Sequence, residues 1–339
     1  MTSGSSTGSA VLVSTGAADM ALGADQGGSI RGPASSCGIV GLKPTWGLVP
    51  YTGILSLEPT LDHVGPMTKT VYDCALLLEV IAGYDDGLDP RQPRDLTVPE
   101  YTKQLSRDLT GMKIGVLKEG FDTPFSEKDV DDNVMKALRN FPKTGASVVD
   151  ISIPMHSVGS IIGLGIFMHG LKHPVLHGLS FGQKGYYPSS LIQNIHHSFK
   201  SNIDDASLTV KRSLMVCEYL SRQYGGRMYA KFQNMARKLG QKYDEVLNKC
   251  DVLVMPTLTK TIPKLPPKNA SLNDATAACR SSGGNLLFPF NVTGHPAISI
   301  DTGYKTDGLP VGMMIVGKHF DESTLFKVAF AYEQSQDAN

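Results

Sequence analysis

Apolar positions along the chain recur with two different spacings, and the changes of spacing mark out its elements. "TVYDCALLLEVIAG", 70 to 83, repeats apolar residues every three to four positions, which is one face of a helix, and stops at Gly83. "MKIGVL" (112–117) and "ASVVDISI" (146–153) are short runs of strand type. Between them "SEKDVDDNVMKALRNF" (126–141) predicts an amphipathic helix with an acidic first turn and Ser126 as its cap. Strand, helix and strand at this spacing form a βαβ unit with a parallel strand pair. "DVLVMPT", "HPAISI" and "VGMMIVG" predict three more strands, and "DESTLFKVAFAYEQS" predicts a last helix capped by Asp321. Near the start, Ser5 to about Ala17 is small and apolar and suits a closely packed helix. "DMALGAD" (19–25) reads as a short buried strand running into a glycine-rich loop, and "CGIVGLKPTWGLVP" continues with a strand and a turn. The region from about 155 to 250 is mostly helical. The expected architecture is one large α/β domain, 1–339, with a mixed β-sheet core and a helical insertion.

Composition narrows the partners. Hydrophobic residues make up 41% and charged residues 19% of the 339, a soluble globular balance. Lys plus Arg and Asp plus Glu are 32 each, which gives no reason to expect nucleic acid or an acidic membrane surface. The longest apolar stretch, "VGSIIGLGIFMHGL" (158–171), is Gly-rich, carries His169 and falls short of the roughly 20 residues of a spanning helix, so it reads as core helix or pocket wall. Cys37, Cys74, Cys217, Cys250 and Cys279 are odd in number and lack any CxxC pairing, which fits a reducing compartment. The first residues show no basic segment before an apolar one, so a cytoplasmic location is expected. Two sequons, at Asn269 and Asn291, carry little weight without a secretory signal.

The chemistry points to "GADQGGSIRGPASSCG", Gly23 to Gly38. A serine hydroxyl is a poor nucleophile without a base, and the oxyanion its attack creates needs preorganised donors. Successive backbone N–H groups converge only in conformations that glycine permits. Gln26-Gly27-Gly28-Ser29 therefore suits a loop that presents Ser29 Oγ and a fan of N–H donors together. A plain glycine turn between strand and helix explains the same four residues.

A second serine-rich block, "TSGSSTGSA" (2–10), precedes it. Together, "GSSTGSA…LGADQGGSIRGPASSCGIVGLKPTWG" resembles the amidase signature family, and the likeness continues through "TLDHVGPMTKTVYDCALLLEVIAGYD", "YDEVLNKCDVLVMPT" and "FNVTGHPAISI…DGLPVGMMIVGKHFDESTLFKVAFAYE". The wording "DQGGSIR" is most similar to broad-specificity amidases of small aliphatic and aromatic amides. The resemblance implies a mixed β-sheet covered by helices on both faces, with the 155–250 insertion forming the substrate pocket and Ile162, Phe167, Met168 and Tyr187 as candidate lining. It implies Ser29 as acyl-enzyme nucleophile, Ser5 as a bridging serine after a cis peptide bond, and the N–H groups of Gln26, Gly27, Gly28 and Ser29 as oxyanion hole. Asp25 and Arg31 are implied as braces of the loop. The expected substrate is a small carboxylic acid amide, with no metal or organic cofactor, no nucleic acid or membrane partner, and a homodimer left open.

One departure stands out. The family's third catalytic group, a lysine upstream of the first serine block, has no counterpart here, where only Met1 to Gly4 precede Ser5. The sequence thus reads as truncated at its N-terminus, with little or no activity expected and apolar surface exposed where the upstream part would pack. Lys43 in "GLKPT" matches a structural lysine of the signature. Two alternatives are an amidase-like remnant that acts by binding, and the amidase component of a glutamine-dependent amidotransferase. Weaker motifs are the GxSxG of Gly4–Gly8, which lacks the strand a nucleophile elbow needs, and His169, His173 and His177, whose helical spacing Pro174 interrupts. Cys37 reads as a buried structural thiol.

Overall fold

The computed structural model describes residues 3–178, 184–265, 267–271, 273–274, 286–304 and 307–336. Its elements are α1 (Thr7–Thr15), β1 (Met20–Ala24), α2 (Arg31–Cys37), β2 (Val40–Lys43), β3 (Val64–Thr68), α3 (Val71–Ile81), β4 (Lys113–Leu117), α4 (Lys128–Leu138) and β5 (Ser147–Ile151). There follow α5 (Gly159–Gly170), α6 (Lys172–His177), α7 (Ser189–Asn202), α8 (Leu208–Tyr224), α9 (Arg227–Leu247), β6 (Val252–Pro256), α10 (Phe288–Val292), β7 (Ala297–Tyr304), β8 (Pro310–Val316) and α11 (Glu322–Gln336). The eight strands form one sheet in the order β1-β3-β2-β7-β8-β6-β4-β5. β4 pairs parallel with β5 and with β6, and the other pairings are antiparallel. The expected βαβ unit is β4-α4-β5.

The central strands are apolar on both faces because helices cover both. In β6, Val252 and Val254 join a core with α3, α4 and α11, while Leu253 and Met255 join a second core with α5 and α9. β8 divides in the same way, Met313 and Ile315 to the first and Met314 and Val316 to the second. Such strands read as continuous apolar runs rather than alternating ones. A third, smaller core gathers Ala10 and Val13 of α1 with Ile30, Ala34, Ile39 and Met67.

Two sequence expectations are corrected. β1 is not a buried strand. It forms one edge of the sheet, pairs with β3 alone and leaves Leu22 exposed, as α1 leaves Val11 and Leu12. Ser126 does not cap α4: the residue before that helix is Glu127, and the Ser126 hydroxyl is held by Thr123, whose N–H donates to it at 3.1 Å. Asp321 does cap α11, accepting from the Thr324 N–H at 3.3 Å.

The helical stretch is thinly anchored. α5 buries Ile162 and Ile166 against α9, but α7 buries no residue and α8 only Ser213 and Cys217. The chain breaks between α5 and α6 around Leu171, so His169 sits on one helix and His173 and His177 on the next, with Pro174 inside the second. Among the described residues no helix is long and apolar enough to cross a membrane. Cys279 lies outside the described residues.

Candidate active site

The glycine loop begins where β1 ends. The Asp25 N–H donates to the His63 carbonyl at 2.8 Å, which continues the antiparallel pairing of β1 with β3 by one residue. The Asp25 carboxylate then folds back under the loop it starts. Its Oδ1 accepts from the Gly28 N–H at 2.6 Å and its Oδ2 from the Ile30 N–H at 3.1 Å. Arg31, at the start of α2, closes on the same carboxylate with Nε to Oδ2 and Nη2 to Oδ1, each at 3.0 Å. Asn291 of α10 completes the set. Its Nδ2 donates to the Asp25 carbonyl and to Oδ1, both at 2.8 Å, and its Oδ1 accepts from Arg31 Nη2 at 2.7 Å.

All three side chains are fully buried. Burial alone would push the Asp25 carboxyl up. The Arg31 charge and hydrogen bonds, with the Asn291 amide, outweigh it and hold the carboxyl well below the ordinary range. An ionised pair taken out of water is stable only when its remaining lone pairs and protons are matched, and here Asn291, the Gly28 and Ile30 N–H groups and the Met314 sulfur, 3.5 Å from Arg31 Nη1, share that task.

The glycines are required by shape. Gly28 has φ of +116°, a conformation L side chains rarely adopt, and a Cβ there would run into Leu287. A Cβ on Gly27 would meet the Phe288 ring at 2.5 Å. The loop is thus pressed between β1 and the residues that lead into α10.

Among the described residues, the N–H groups of Gln26, Gly27 and Ser29 have no acceptor, whereas the Gly28 N–H is taken by Asp25. An N–H carries one hydrogen, so in this conformation Gly28 drops out of the expected donor set. Ser29 is half-buried, and its carbonyl accepts from the Ser6 N–H at 3.2 Å. The Ser6 hydroxyl clasps Ala24, accepting from its N–H at 3.2 Å and donating to its carbonyl at 3.3 Å. Ser6, the serine of the GxSxG reading, is therefore a clamp that ties the first residues to the loop. The Gly4–Ser5 peptide bond is cis, as the resemblance implies, and Ser5 is exposed.

Lys43 is fully buried and donates to the Pro44 carbonyl at 3.0 Å. Burial first, and the Arg31 charge second, push its pKa well below the usual lysine range. Among the described residues no lysine hydrogen-bonds to Ser5 or Ser29.

The pocket candidates divide. Phe167 packs edge-on against Phe288, 6.2 Å between ring centres, and Phe288 lies over Gly27. Tyr187 lines a cavity of about 80 Å³ with Tyr51, whose hydroxyl accepts from Gln26 Nε2 at 2.8 Å. Ile162 is fully buried core, and Met168 is half-buried on α5. The His173 and His177 rings lie tilted 6.0 Å apart, and His177 stacks near His196 at 5.9 Å between ring centres. Cys37 is half-buried at the end of α2, while burial pushes the Cys217 and Cys250 thiols up to about 11.

Sequence reasoning missed Asn291, Leu287 and Phe288. The one local signal at Asn291 was its sequon, and the structure shows why that signal misleads: the amide is buried and spent on Asp25.

Comparison with known proteins bears on the family and the fold. The sequence model of the Amidase family matches residues 1–326. An enantioselective amidase of Rhodococcus rhodochrous is 41% identical over 98% of the chain, which spans 64% of that relative's length. A glutamyl-tRNA(Gln) amidotransferase subunit of Oceanobacillus iheyensis is 35% identical over 98% of the chain and 67% of its own length. Among solved structures, the native peptide amidase of Stenotrophomonas maltophilia superposes with a TM-score of 0.75 at 27% identity, covering 98% of the chain and 65% of the amidase.

Proposed function

The chain belongs to the amidase family, and from that premise we propose that it carries the acyl-transfer centre of an amide hydrolase, with Ser29 as nucleophile. Ser29 Oγ bonds to the amide carbon, and the resulting oxyanion is held by the N–H groups of Gln26, Gly27 and Ser29. The Ser29 proton passes by way of Ser5 to the leaving nitrogen, the C–N bond breaks, and ammonia or an amine departs. Water then adds to the ester carbon, the C–Oγ bond breaks and Ser29 regains its proton. No step calls for a metal or organic cofactor. The observation that carries this reading is the set of three N–H groups left without acceptors beside Ser29, while Asp25, Arg31 and Asn291 fix the loop around them.

Activity of the 339-residue chain is proposed to be slow, because no lysine contacts either serine among the described residues and an unassisted hydroxyl is a weak nucleophile. The test is ammonia release from propionamide and benzamide by the wild type and by Ser29→Ala. Slow release that Ser29→Ala abolishes supports the reading. Release that survives Ser29→Ala removes Ser29 from its role, and rapid release by the wild type refutes the missing base. A second reading rests on the 35% identity to the Oceanobacillus amidotransferase chain: glutamine as the amide and a partner chain as the consumer of its ammonia. Preference for glutamine over propionamide, rising when partner chains are added, would favour it.

A further inference from the structure

Outside the glycine loop, three side chains from distant parts of the chain converge. Asp244 lies near the end of α9, His295 just before β7 and His319 just after β8. Asp244 Oδ1 stands 3.2 Å from His295 Nε2 and 3.6 Å from His319 Nδ1, and one donor atom from each of the three lies within 4.8 Å of the others.

The hydrogen atoms around this cluster can be assigned from its neighbours. His319 Nε2 is 2.9 Å from the Thr293 carbonyl, which can only accept, so that nitrogen carries a proton. The Thr293 hydroxyl donates its single hydrogen to the Pro289 carbonyl at 3.0 Å. With that hydrogen spent there, the hydroxyl accepts from His295 Nδ1, 3.0 Å away, and that nitrogen carries a proton; turned the other way, the hydroxyl would donate to Nδ1 and leave Nε2–H to donate to Asp244 at 3.2 Å. In the first arrangement, with neutral imidazoles, the remaining nitrogens, His295 Nε2 and His319 Nδ1, are bare lone pairs. Both face a carboxylate oxygen. There the three acceptor atoms repel until a cation lies among them, either a metal ion or the second proton of an imidazolium.

We propose that Asp244, His295 and His319 form a binding site for one divalent transition-metal ion of the zinc type. Zinc bonds of about 2.0–2.1 Å in tetrahedral array set neighbouring ligand atoms roughly 3.3–3.4 Å apart, and the two separations from Asp244 Oδ1 bracket that value. Thr293 supplies the outer partners that hold both rings, the usual support of metal-binding histidines. Asp244 is more than half exposed and His319 borders an open cavity of about 380 Å³ with Trp46 and Arg91, so a fourth position is open to water. The ion would fasten α9 to the ends of β7 and β8. It takes no part in the acyl transfer proposed for Ser29.

The full chain, stripped with EDTA and exchanged into metal-free buffer, is titrated with Zn²⁺ by calorimetry, and with Co²⁺ while visible absorption is recorded. One ion per chain, a rise in Tm with Zn²⁺ and the intense visible bands of four-coordinate Co²⁺ are expected. Asp244→Asn and His319→Ala, both at partly exposed positions, lose all three signals. Thr293→Val, which removes one outer partner, weakens binding about tenfold. Ser29→Ala binds as the wild type does. Absence of one-to-one binding overturns the proposal. So does binding that persists in both Asp244→Asn and His319→Ala, which would place the ion elsewhere, for instance at His177 and His196.

Discussion

The glycine loop and the helical cover are built on opposite terms. In the loop, Asp25, Arg31 and Asn291 are fully buried and bound to one another and to the backbone, with Arg31 Nη1 donating to Met314 Sδ. In the cover, α7 buries nothing and α8 buries two residues. Oxyanion stabilisation requires donors held in place before the charge develops, whereas the wall of a substrate pocket has only to complement shape. The difference teaches where the chain concentrates its buried polar packing: around the loop that carries the proposed nucleophile, while α7 and α8 are sparsely buried.

The comparison breaks most sharply at Arg31. Arg31→Met leaves the Asp25 charge buried and unpaired, and should cost about 3–5 kcal/mol by urea titration. A loss under about 1 kcal/mol would mean the brace is not the anchor described here. Stability should also fall on acidification through His156. That ring is buried against Phe290 with Nδ1 2.6 Å from the Tyr243 hydroxyl, and burial, opposed only by Glu119, pushes its pKa down to about 4. A folded-state value below the unfolded value near 6.5 means stability is fully present above about pH 6.5 and is lost as the pH falls toward 4, by about 2–3 kcal/mol. His156→Gln, which keeps a partner for Tyr243 but does not titrate, should flatten that part of the profile.

Gly28→Ala should cost about 1–3 kcal/mol through collision with Leu287, with further loss from its positive φ. Gly27→Ala meets the Phe288 ring first, at 2.5 Å. Its loss of stability should be partly restored by adding Phe288→Leu, a coupling read from a double-mutant cycle. Gln193→Ala, on exposed α7, should change stability by no more than about 0.5 kcal/mol. A larger effect would show that the cover is anchored more firmly than its burial indicates.

What could be read in the sequence follows from what is local. The strands of the sheet centre were legible because their apolar runs are continuous, and the βαβ unit because its spacing admits few alternatives. The loop was legible in part because Gly28 is demanded by the positive φ at its own position, whereas the Phe288 ring that excludes a side chain from Gly27 comes from far along the chain. Asn291 was not, since its contact with Asp25 spans most of the chain. Ser126 failed as a cap because the nearby Thr123 competes for its hydroxyl. The exposure of β1 was hidden because its small apolar residues resemble a core strand, and only pairing order shows it at an edge. Histidines spaced along one stretch, His169, His173 and His177, drew attention as ligands, while the pair that converges with Asp244 comes from two other segments.

We propose that the Asp25–Arg31–Asn291 brace presents Ser29 and its neighbouring N–H groups ready for acyl transfer. An activated ester tests it directly, because its leaving group departs without a proton. The chain would be incubated with p-nitrophenyl butyrate and digested, and the acylated peptide identified by mass spectrometry. One butyryl group is expected on the peptide containing Ser29, absent in Ser29→Ala and formed more slowly in Asn291→Ala. Acylation at another residue, or at an equal rate in Ser29→Ala, would contradict it.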